Sequence, residues 1–522
     1  MLSDSYTNTP PAAMASRSTL SDLTPYFLFL LLTATLGPLL FGYHLAELNA
    51  PSEVITCAED AIKPSTISRL KSALSDHFST TTTASTTLPQ CIPMNPTQLG
   101  IVTSAFTLGG LIGALAAGPT TAKVGRVRTM LPGAILATLG PAFEAAAPNL
   151  GLLALGRFIS GLGAGAAMVV APLYIADLAP PGHKGFFGSF TQVMVNVGIL
   201  ITQSLGLIWS RGQMWRIILA VGGAIGAVQA VAFLVGGMES PKYLAENGKA
   251  LEARRVLRRI RGEGADIEEE VKGWSVTSDG NDEEESLLAG NNDSAHNDTH
   301  GKSKNESLGA FAVLTHPDTR PAVIAITMVM LAQQFTGINS IIMYGVRLLS
   351  SLLAANSALL NVAVSALNVF ITAAAAPLVD KLGRKTCLLM SITGMGINSV
   401  LLAVGIMRSM SVLSAVAVVL FVASFGLGLG PVPFILASEL VDANAVGAVQ
   451  SWALAASWIA TFIVAQFFPM LNEAMGKGQV YFVFAAMAVV FGGFVTVFVP
   501  ESKGKKDADE VWGRRRGDRR ED

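Results

Sequence analysis

The sequence alternates long apolar runs with short polar connections. A helix needs about 20 apolar residues to cross the hydrocarbon of a bilayer, and twelve runs approach or exceed that length. Six precede a charged segment at residues 238–318 and six follow it, which predicts an all-α integral membrane protein with twelve transmembrane helices. The runs are 25–48, 98–120, 129–147, 150–175, 186–209 and 215–236, then 321–350, 354–378, 387–407, 412–437, 447–471 and 480–499.

Two polar turns in matching places look like copies of one another. The connection after the second run, 118–128, and the one after the eighth, 377–385, are each short and basic, and each contains glycine followed by arginine. A repeat in corresponding places of two halves is typical of duplicated membrane transporters. The pattern therefore predicts two pseudo-symmetric six-helix halves and indicates a transporter.

Composition supports a chain that is mostly out of water. Hydrophobic residues make up 51% of the 522 and charged residues 14%, with a mean hydropathy of +0.50, whereas a soluble domain carries about 25% charge. The net charge of −1 gives no indication of nucleic acid binding. The runs contain no nucleophile–base–acid set, metal-ligand cluster or phosphate loop. We therefore expect a bilayer and a small molecule as partners, and no enzymatic activity, cofactor or metal.

Basic residues predict the orientation. Lysine and arginine cluster after the second, fourth, sixth and eighth runs, and the opposite connections carry few. Since this excess stays cytoplasmic, both termini and the central linker are expected in the cytoplasm; the connection after the tenth run, with Asp442 and no base, is an exception. The predicted parts are a tail at 1–24, a half at 25–236 with an outer loop at 49–95, a linker at 237–318, a half at 319–499 and a tail at 500–522.

The linker and the outer loop carry different signals. Residues 241–270 have helical spacing, and the acidic, asparagine-rich stretch beyond them is typical of disorder. The outer loop is rich in serine and threonine and contains Cys57 and Cys91. A disulfide between them is chemically permitted on an outer or luminal face, and two free thiols are the alternative.

Seven motifs, in order along the chain, carry a resemblance that extends over most of residues 36–504. They are FGYHLAELNAP at 41–51, GRFISG at 156–161, PLYIADLAP at 172–180, ESPK at 239–242, QQFTGIN at 333–339, GPVP at 430–433 and PESKG at 500–504. The chain resembles sugar porters of the major facilitator superfamily, akin to facilitative glucose transporters and fungal hexose transporters. This implies the major facilitator fold and alternating-access transport of a glucose-like hexose by a monomer, in the plasma membrane or in a vacuolar or other endomembrane. A nutrient sensor that does not transport is an alternative.

Polar side chains inside the spans form two stripes. A helix advances about 100° per residue, so four polar residues of the fifth run share a face roughly 60° wide, and four of the eighth run share a similar one. Neutral amides and hydroxyls suit a polyol without the cost of burying charge, although hydrogen bonding between helices is the alternative. The stripes are Ser189, Gln192, Asn196 and Gln203, and Asn361, Ser365, Asn368 and Thr372.

The resemblance assigns sugar-binding positions and also shows departures. Gly337 permits a break in the seventh run that would bring Gln334 and Asn339 to one cavity. Phe434 stands where many relatives have tryptophan, and Ser457 stands before Trp458 where they have asparagine. Phenylalanine keeps a stacking face but lacks the indole N–H. The matching positions are Gln192, Gln333, Gln334, Asn339 and Asn368.

Charged residues near the ends of the runs predict a cytoplasmic gate. Pairs between the two halves would close the cytoplasmic side in the outward-facing state and break on inward opening; topology and snorkelling are the alternative account. By resemblance, the acids are Asp177, Glu239, Asp380 and Glu439, and the bases are Arg126, Arg157, Lys242 and Arg384.

His44 bears on the mode of transport. Relatives that couple sugar to protons have an aspartate at this position, whereas uniporters have a neutral residue. A histidine side chain ordinarily titrates near neutrality, and His44 shares a helix face with Glu47, so the two could carry a coupling proton. Because the aspartate is absent, the sequence favours facilitated-diffusion uniport. Proton-coupled symport of a sugar or polyol through His44 and Glu47 is the alternative.

Overall fold

The structure is a computed structural model. It describes residues 23–57, 88–180, 184–262, 264–268, 270–271, 312–353, 357–441, 445–476, 478–505 and 508–513. The predicted disordered part of the linker, Asp442, nearly all of the N-terminal tail and the end of the C-terminal tail lie outside these residues. Asp380 lies on a described helix, but its side chain is outside the described part.

Twelve long helices follow the order of the apolar runs, and two of them are broken. In the first half they are α1 (Pro25–Ala46), α2 (Pro96–Val124), α3 (Arg126–Ala145), α4 (Leu150–Leu178), α5 (Lys184–Trp209) and α6 (Trp215–Gly236). In the second half they are α7a (Arg320–Phe335), α7b (Ile338–Leu353), α8 (Ser357–Leu382), α9 (Arg384–Met407), α10a (Ser411–Leu427), α10b (Val432–Glu439), α11 (Val446–Ala474) and α12 (Val480–Phe498).

The connections contain shorter helices. Residues 241–270, where the sequence has helical spacing, contain two of them, and the second places Ala253, Val256 and Ile260 against the bundle. The shorter helices are Ser52–Ile55, the 3₁₀ turn Gly212–Met214, Pro241–Glu246, Ala250–Arg261, Ala312–Thr315 and Ala508–Trp512.

Eleven of the described helical stretches are long and apolar enough to cross a membrane. The twelfth predicted span, α3, falls outside that set because charged residues lie at both of its ends: Arg126 and Arg128 at the start and Glu144 near the finish. It nevertheless packs along α4 and α6 like the other members of the bundle. Of its charged residues, Glu144 is the one that is fully buried.

Small residues let the helices of the first half approach closely. A Cβ atom at Gly109 or Gly113 of α2 would clash with the carbonyl groups of Phe158 or Leu162 on α4. The same holds at Gly161, which faces the carbonyl of Phe106. These contacts bring α2 and α4 nearly backbone to backbone, as small residues do in membrane bundles.

The break in α7 occurs where the sequence predicts it. Gly337 has φ +97°, a conformation that a residue with a Cβ rarely adopts, and a Cβ there would lie 2.5 Å from the ring of Phe484. The second broken helix, α10, is interrupted between Leu427 and Val432. Both breaks are in the second half.

A disulfide joins Cys57 and Cys91, whose Cα atoms are 5.4 Å apart. It ties the short helix Ser52–Ile55 to the segment before α2, where Ile92 N–H also donates to Ile55 O at 2.8 Å. We call the end of the bundle with this disulfide the outer end. The opposite end, with Arg126 and Arg384, is called the inner end.

Candidate functional site

The two polar stripes face each other where α5 meets α8. Asn196 on α5 donates from Nδ2 to Thr372 Oγ1 at 2.8 Å, and Asn368 donates to Asn196 Oδ1 at 3.2 Å. Gln192 lies one turn before Asn196 and is half-buried, with its Nε2 3.5 Å from Asn196 Oδ1. These bonds connect the two halves of the bundle through neutral polar groups.

The rest of each stripe behaves differently. Ser189, Asn361 and Ser365 donate to backbone carbonyls of their own helices, and Gln203 approaches Ile342 O of α7b at 3.5 Å. The interpretation of the stripes as a sugar-facing set stays a prediction. The cross-half contacts are concentrated at Asn196, Asn368 and Thr372.

A second polar network surrounds the break in α7. Gln334 donates from Nε2 to Ser457 Oγ of α11 at 2.9 Å, and Asn339 donates to Gln334 Oε1 at 2.6 Å. On a regular helix Gln334 and Asn339 would point about 140° apart. The left-handed conformation of Gly337 brings the two amides together instead.

Gln333 extends this network to the break in α10. Its Nε2 donates to Leu429 O at 2.6 Å, and its Oε1 accepts from Gln334 Nε2 at 3.0 Å. The carbonyl of Leu429 is available because it lies where α10 is interrupted. Both breaks therefore supply or orient polar groups in the second half.

Aromatic rings border the polar networks. Trp458 on α11 contacts Phe41 of α1 edge to face, with ring centroids 5.4 Å apart, and its six-membered ring packs against Gly110 of α2. Phe434 is half-buried and packs with Phe41 against an apolar cluster that includes Val195 and Ile199. Rings from both halves therefore line the interface beside the amides.

Asn49 bonds the two halves together at the outer end, a role that was not predicted although Asn49 lies in the FGYHLAELNAP motif. It lies in the turn after α1, donates to Ile342 O at 2.8 Å and accepts from Val346 N–H at 3.0 Å. A single amide thus bonds to a carbonyl and an N–H of the α7b backbone from the opposite half. A polar residue in a turn has no helical periodicity that would indicate its direction.

At the inner end, the first half is stabilised by a compact charge network. Arg126 donates from Nε to Asp177 Oδ2 at 3.0 Å, and Glu239 accepts from the backbone N–H of Arg126 at 2.6 Å. Ser240 also donates to Asp177, at 2.7 Å. Glu239 therefore stabilises the start of α3, where helix N–H groups lack partners within the helix.

The second half repeats this arrangement. Arg384 contacts Glu439 at 2.9 Å, and Glu501 accepts from the backbone N–H of Arg384 at 2.8 Å. Ser502 donates to Glu439 at 2.6 Å. The counterpart of Glu239 is Glu501, which the sequence analysis did not select although it lies in the PESKG motif.

The predicted gate needs correction in two respects. Among the described residues, the ion pairs of Arg126 and Arg384 join elements of one half and do not cross between halves. Lys242 approaches only Glu246 of its own short helix, at 3.9 Å and largely exposed. Arg157 does not belong to the inner end at all, because it lies two turns into α4 from the outer end and is completely buried.

Arg157 instead contacts the end of α1. Its Nη1 donates to the carboxylate of Glu47 and, at 2.7 Å, to His44 O. His44 Nδ1 lies 2.9 Å from the other oxygen of Glu47. The guanidinium also stacks on Phe106 of α2, 4.7 Å from its centroid.

A fourth charged residue, Glu144 of α3, lies beside His44, Glu47 and Arg157 and was not predicted from the sequence. Its Oε1 accepts from Ser160 Oγ at 2.5 Å, and its carboxyl group is close enough to interact electrostatically with Glu47, Arg157 and His44. Position 144 is the second-last residue of α3, so the sequence places this acid at a helix end. In the described ranges, no group of three or more histidine, cysteine, aspartate or glutamate residues is arranged so that it could hold a metal ion.

Comparisons with known proteins add the family. Residues 30–511 match the model of the family described as sugar (and other) transporter. A probable metabolite transport protein, YBR241C of Saccharomyces cerevisiae, is 34% identical over 95% of this chain and 97% of its own. The glucose transporter GlcP of Staphylococcus epidermidis is 31% identical over 79% of this chain and 88% of its own.

A solved structure has the same fold. The proton:xylose symporter XylE of E. coli, bound to 6-bromo-6-deoxy-D-glucose, superposes with a TM-score of 0.68 at 23% identity, covering 94% of this chain and 98% of that one. This confirms the predicted twelve-helix major facilitator fold.

Proposed function

Because the chain belongs to the sugar (and other) transporter family, we propose that it carries a glucose-like hexose across a membrane by alternating access. The observation that supports this most is the pair of neutral polar networks at the interface of the halves. Gln192, Asn196 and Asn368 meet on one side of it, and Gln334 and Asn339 on the other. The site is polar but carries no formal charge.

Such a site suits a molecule that has many hydroxyl groups and no charge. Each amide can donate and accept, and a pyranose presents both kinds of partner around its ring. Phe434 and Trp458 offer apolar faces for the C–H surfaces of a sugar. In the conformation described, amides satisfy one another, so a hexose would replace bonds between side chains with bonds to its hydroxyls.

The contacts between the halves support alternating access. Asn49 holds the outer end of α1 to α7b, whereas the inner charge networks stay within each half. Breaking the Asn49 contacts would let the halves part at the outer end without disturbing the inner networks. We propose that these networks keep each half rigid while the halves rock about the sugar site.

A buried ion pair bears on the choice between uniport and proton-coupled symport. Uniport was favoured because the sequence lacks an aspartate at position 44. The carboxylate of Glu47, nearly one turn later, nevertheless forms a buried ion pair with Arg157. An acid paired with arginine beside the sugar site supports proton-coupled symport, which we propose as the mode; facilitated diffusion remains the alternative.

The orientation and location extend this proposal. We propose that the inner end and both termini are cytoplasmic, and the disulfide at the opposite end is consistent with an oxidising outer or luminal side. The protein acts as a monomer in the plasma membrane or an endomembrane. Chemical labelling of single cysteines, placed at Lys123 and Gln213 in a variant without native cysteines, would test the sidedness in intact cells or sealed organelles.

Counterflow in proteoliposomes tests the function directly. Vesicles containing the purified chain and unlabelled glucose should take up labelled glucose transiently, and other hexoses should compete better than charged sugars such as glucuronate. Saturable glucose binding without any counterflow would indicate a sensor. Counterflow of a charged metabolite but not of a hexose would contradict the substrate assignment.

A further inference from the structure

Four titratable side chains meet in a fully buried cluster at the outer end of the first half. His44 and Glu47 come from the end of α1, Glu144 from α3 and Arg157 from α4, and each is at most 1% exposed. Gly156 makes room for Glu144, because a Cβ there would lie 2.5 Å from Cγ of the acid. We call these four residues the buried charge cluster.

The formal charges of this cluster do not balance. Two ionised carboxylates and one guanidinium leave one negative charge when His44 is neutral. A buried charge without a partner is very costly, and such a group binds or releases a proton instead. The closed cluster is therefore neutral only when it holds one further proton.

Hydrogen bonds locate that proton. Arg157 and His44 both direct their bonds to Glu47, whose two oxygens are thereby occupied as a carboxylate should be. A charged His44 would bury an N–H at Nε2, which has no partner. Glu144 accepts from Ser160 through Oε1, its Oε2 has no partner within hydrogen-bonding geometry, and its carboxyl group lies beside that of Glu47. Glu144 is thus the acid without a cation in hydrogen-bonding contact.

Among the residues that the structure describes, the surrounding helices supply no other compensating charge to this acid. On α1, Tyr43 uses its hydroxyl to donate to Ile218 O at 2.5 Å. On α6, Arg216 directs its guanidinium to the carbonyls of Ala145 and Ala147, and Gly222 faces the ring of His44. Phe106 of α2 packs against Arg157, and Ser160 of α4 donates to Glu144.

We propose that Glu144 is the group that binds the coupled proton from the outer side and releases it at the inner side. This rests on the proposed proton-coupled transport and adds the residue that carries the proton, which lies on α3 and not at the position where coupled relatives have their aspartate. Glu47 remains ionised and paired with Arg157. No bond other than that between the proton and the carboxyl oxygen forms or breaks.

A chain of rings connects this cluster to the sugar site. Phe106 stacks under Arg157, and its centroid is 6.0 Å from that of Trp458 on α11. Trp458 follows Ser457, which accepts the hydrogen bond from Gln334. A proton on Glu144 allows the cluster to close as a neutral unit, and the closed cluster places Phe106 against the half that binds sugar.

The test compares Glu144→Gln with the wild type in proteoliposomes at two settings. Without a gradient, Glu144→Gln should exchange labelled glucose at wild-type rates, because the amide mimics the protonated acid. Wild-type exchange should decline at alkaline pH, where Glu144 loses its proton, and exchange by the variant should not. With an acidic outside, wild type should concentrate glucose and the variant should only equilibrate it. Glu53→Gln, an acid at the outer end outside the cluster, is the matched control and should accumulate glucose like the wild type.

Ser160→Ala provides a second variant that retains the acid. A hydroxyl that donates to a carboxylate favours the ionised form, so its removal should move the alkaline decline of exchange to higher pH while accumulation persists. A merely structural role of Ser160 would change the rate at all pH values equally.

Four outcomes separate the inferences. Accumulation by Glu144→Gln at the wild-type level would overturn the role of Glu144. If Glu47→Gln loses accumulation and Glu144→Gln does not, the proton belongs to Glu47 and the role of Glu144 is likewise overturned. Absence of glucose exchange in the wild type would refute the proposed function itself. If Glu144→Gln does not insert, an unchanged pH profile in Ser160→Ala would contradict the proposal.

Discussion

The side chains of the proposed sugar site are neutral amides and hydroxyls, and in the proposed mechanism a sugar replaces their bonds to each other. Gln334 has three such contacts, to Gln333, Ser457 and Asn339. Gln192 has one weak contact at 3.5 Å and is half-buried. Gln192 is therefore the most available amide of the site, and Gln334 the most connected.

Replacing either glutamine by alanine should weaken hexose transport. Loss of one or two hydrogen bonds to the sugar costs about 1–3 kcal/mol, which corresponds to roughly a 5- to 150-fold higher half-saturation concentration. Asn398→Ala is the matched control, since Asn398 is a buried amide that donates only to Gly394 O of its own helix. Initial rates of labelled glucose uptake measure the effect, and unchanged kinetics in both variants would assign the glutamines to packing.

Asn49→Ala should open the outer end. It removes two bonds between the turn after α1 and α7b and leaves on these backbone groups the longer contact of Gln203 Nε2 with Ile342 O, at 3.5 Å. A cysteine introduced at Ile342 should then react faster with a membrane-impermeant thiol reagent applied from outside. Equal labelling rates in the presence and absence of Asn49 would show that the contact does not control closure.

At the scale of elements, broken helices and paired turns position the site. Gly337 reverses the direction of Asn339 so that it meets Gln334, and the interruption of α10 frees the carbonyl that Gln333 binds. At the inner end, the acids Glu239 and Glu501 each cap the start of the following helix, α3 or α9. These features determine how the halves hold their shape.

Gly337→Ala should damage the site. The left-handed conformation costs an L-residue about 1–2 kcal/mol, and the added methyl group would clash with Phe484. We expect a lower melting temperature and little glucose binding. Gly493→Ala of α12 is the control, because a Cβ there meets nothing within 4 Å, and it should be neutral. Normal binding in both variants would mean that the break is not required.

If the inner charge networks stabilise each half separately, Arg384→Ala should behave differently from a variant that opens a gate between the halves. Arg384→Ala removes the ion pair with Glu439 within the second half, so it should lower stability by about 1–3 kcal/mol and slow turnover without favouring one orientation. Thermal unfolding and labelling of an inner-end cysteine measure the two effects. Faster labelling at the inner end with unchanged stability would restore the view that Arg384 holds the two halves together.

At the scale of the whole molecule, the apolar runs predicted the bundle well because length and hydropathy are local properties. The break at Gly337 was also predictable, since glycine between two amides is a local signal. The cluster of Glu47, Glu144 and Arg157 was not, because it combines three helices that only tertiary packing brings together. The assignment of Arg157 to the cytoplasmic gate was wrong because the resemblance identified the residue but did not show that it lies near the outer end of α4.

The most direct test of the account is sugar accumulation against a gradient by the wild-type chain. Proteoliposomes with a neutral interior in an acidic medium should concentrate labelled glucose, with a ceiling of about tenfold for each pH unit when one proton accompanies each sugar. Collapse of the proton gradient should release the accumulated glucose. Uptake that stops at equal concentrations inside and outside, with the gradient intact, would contradict proton coupling and establish facilitated diffusion.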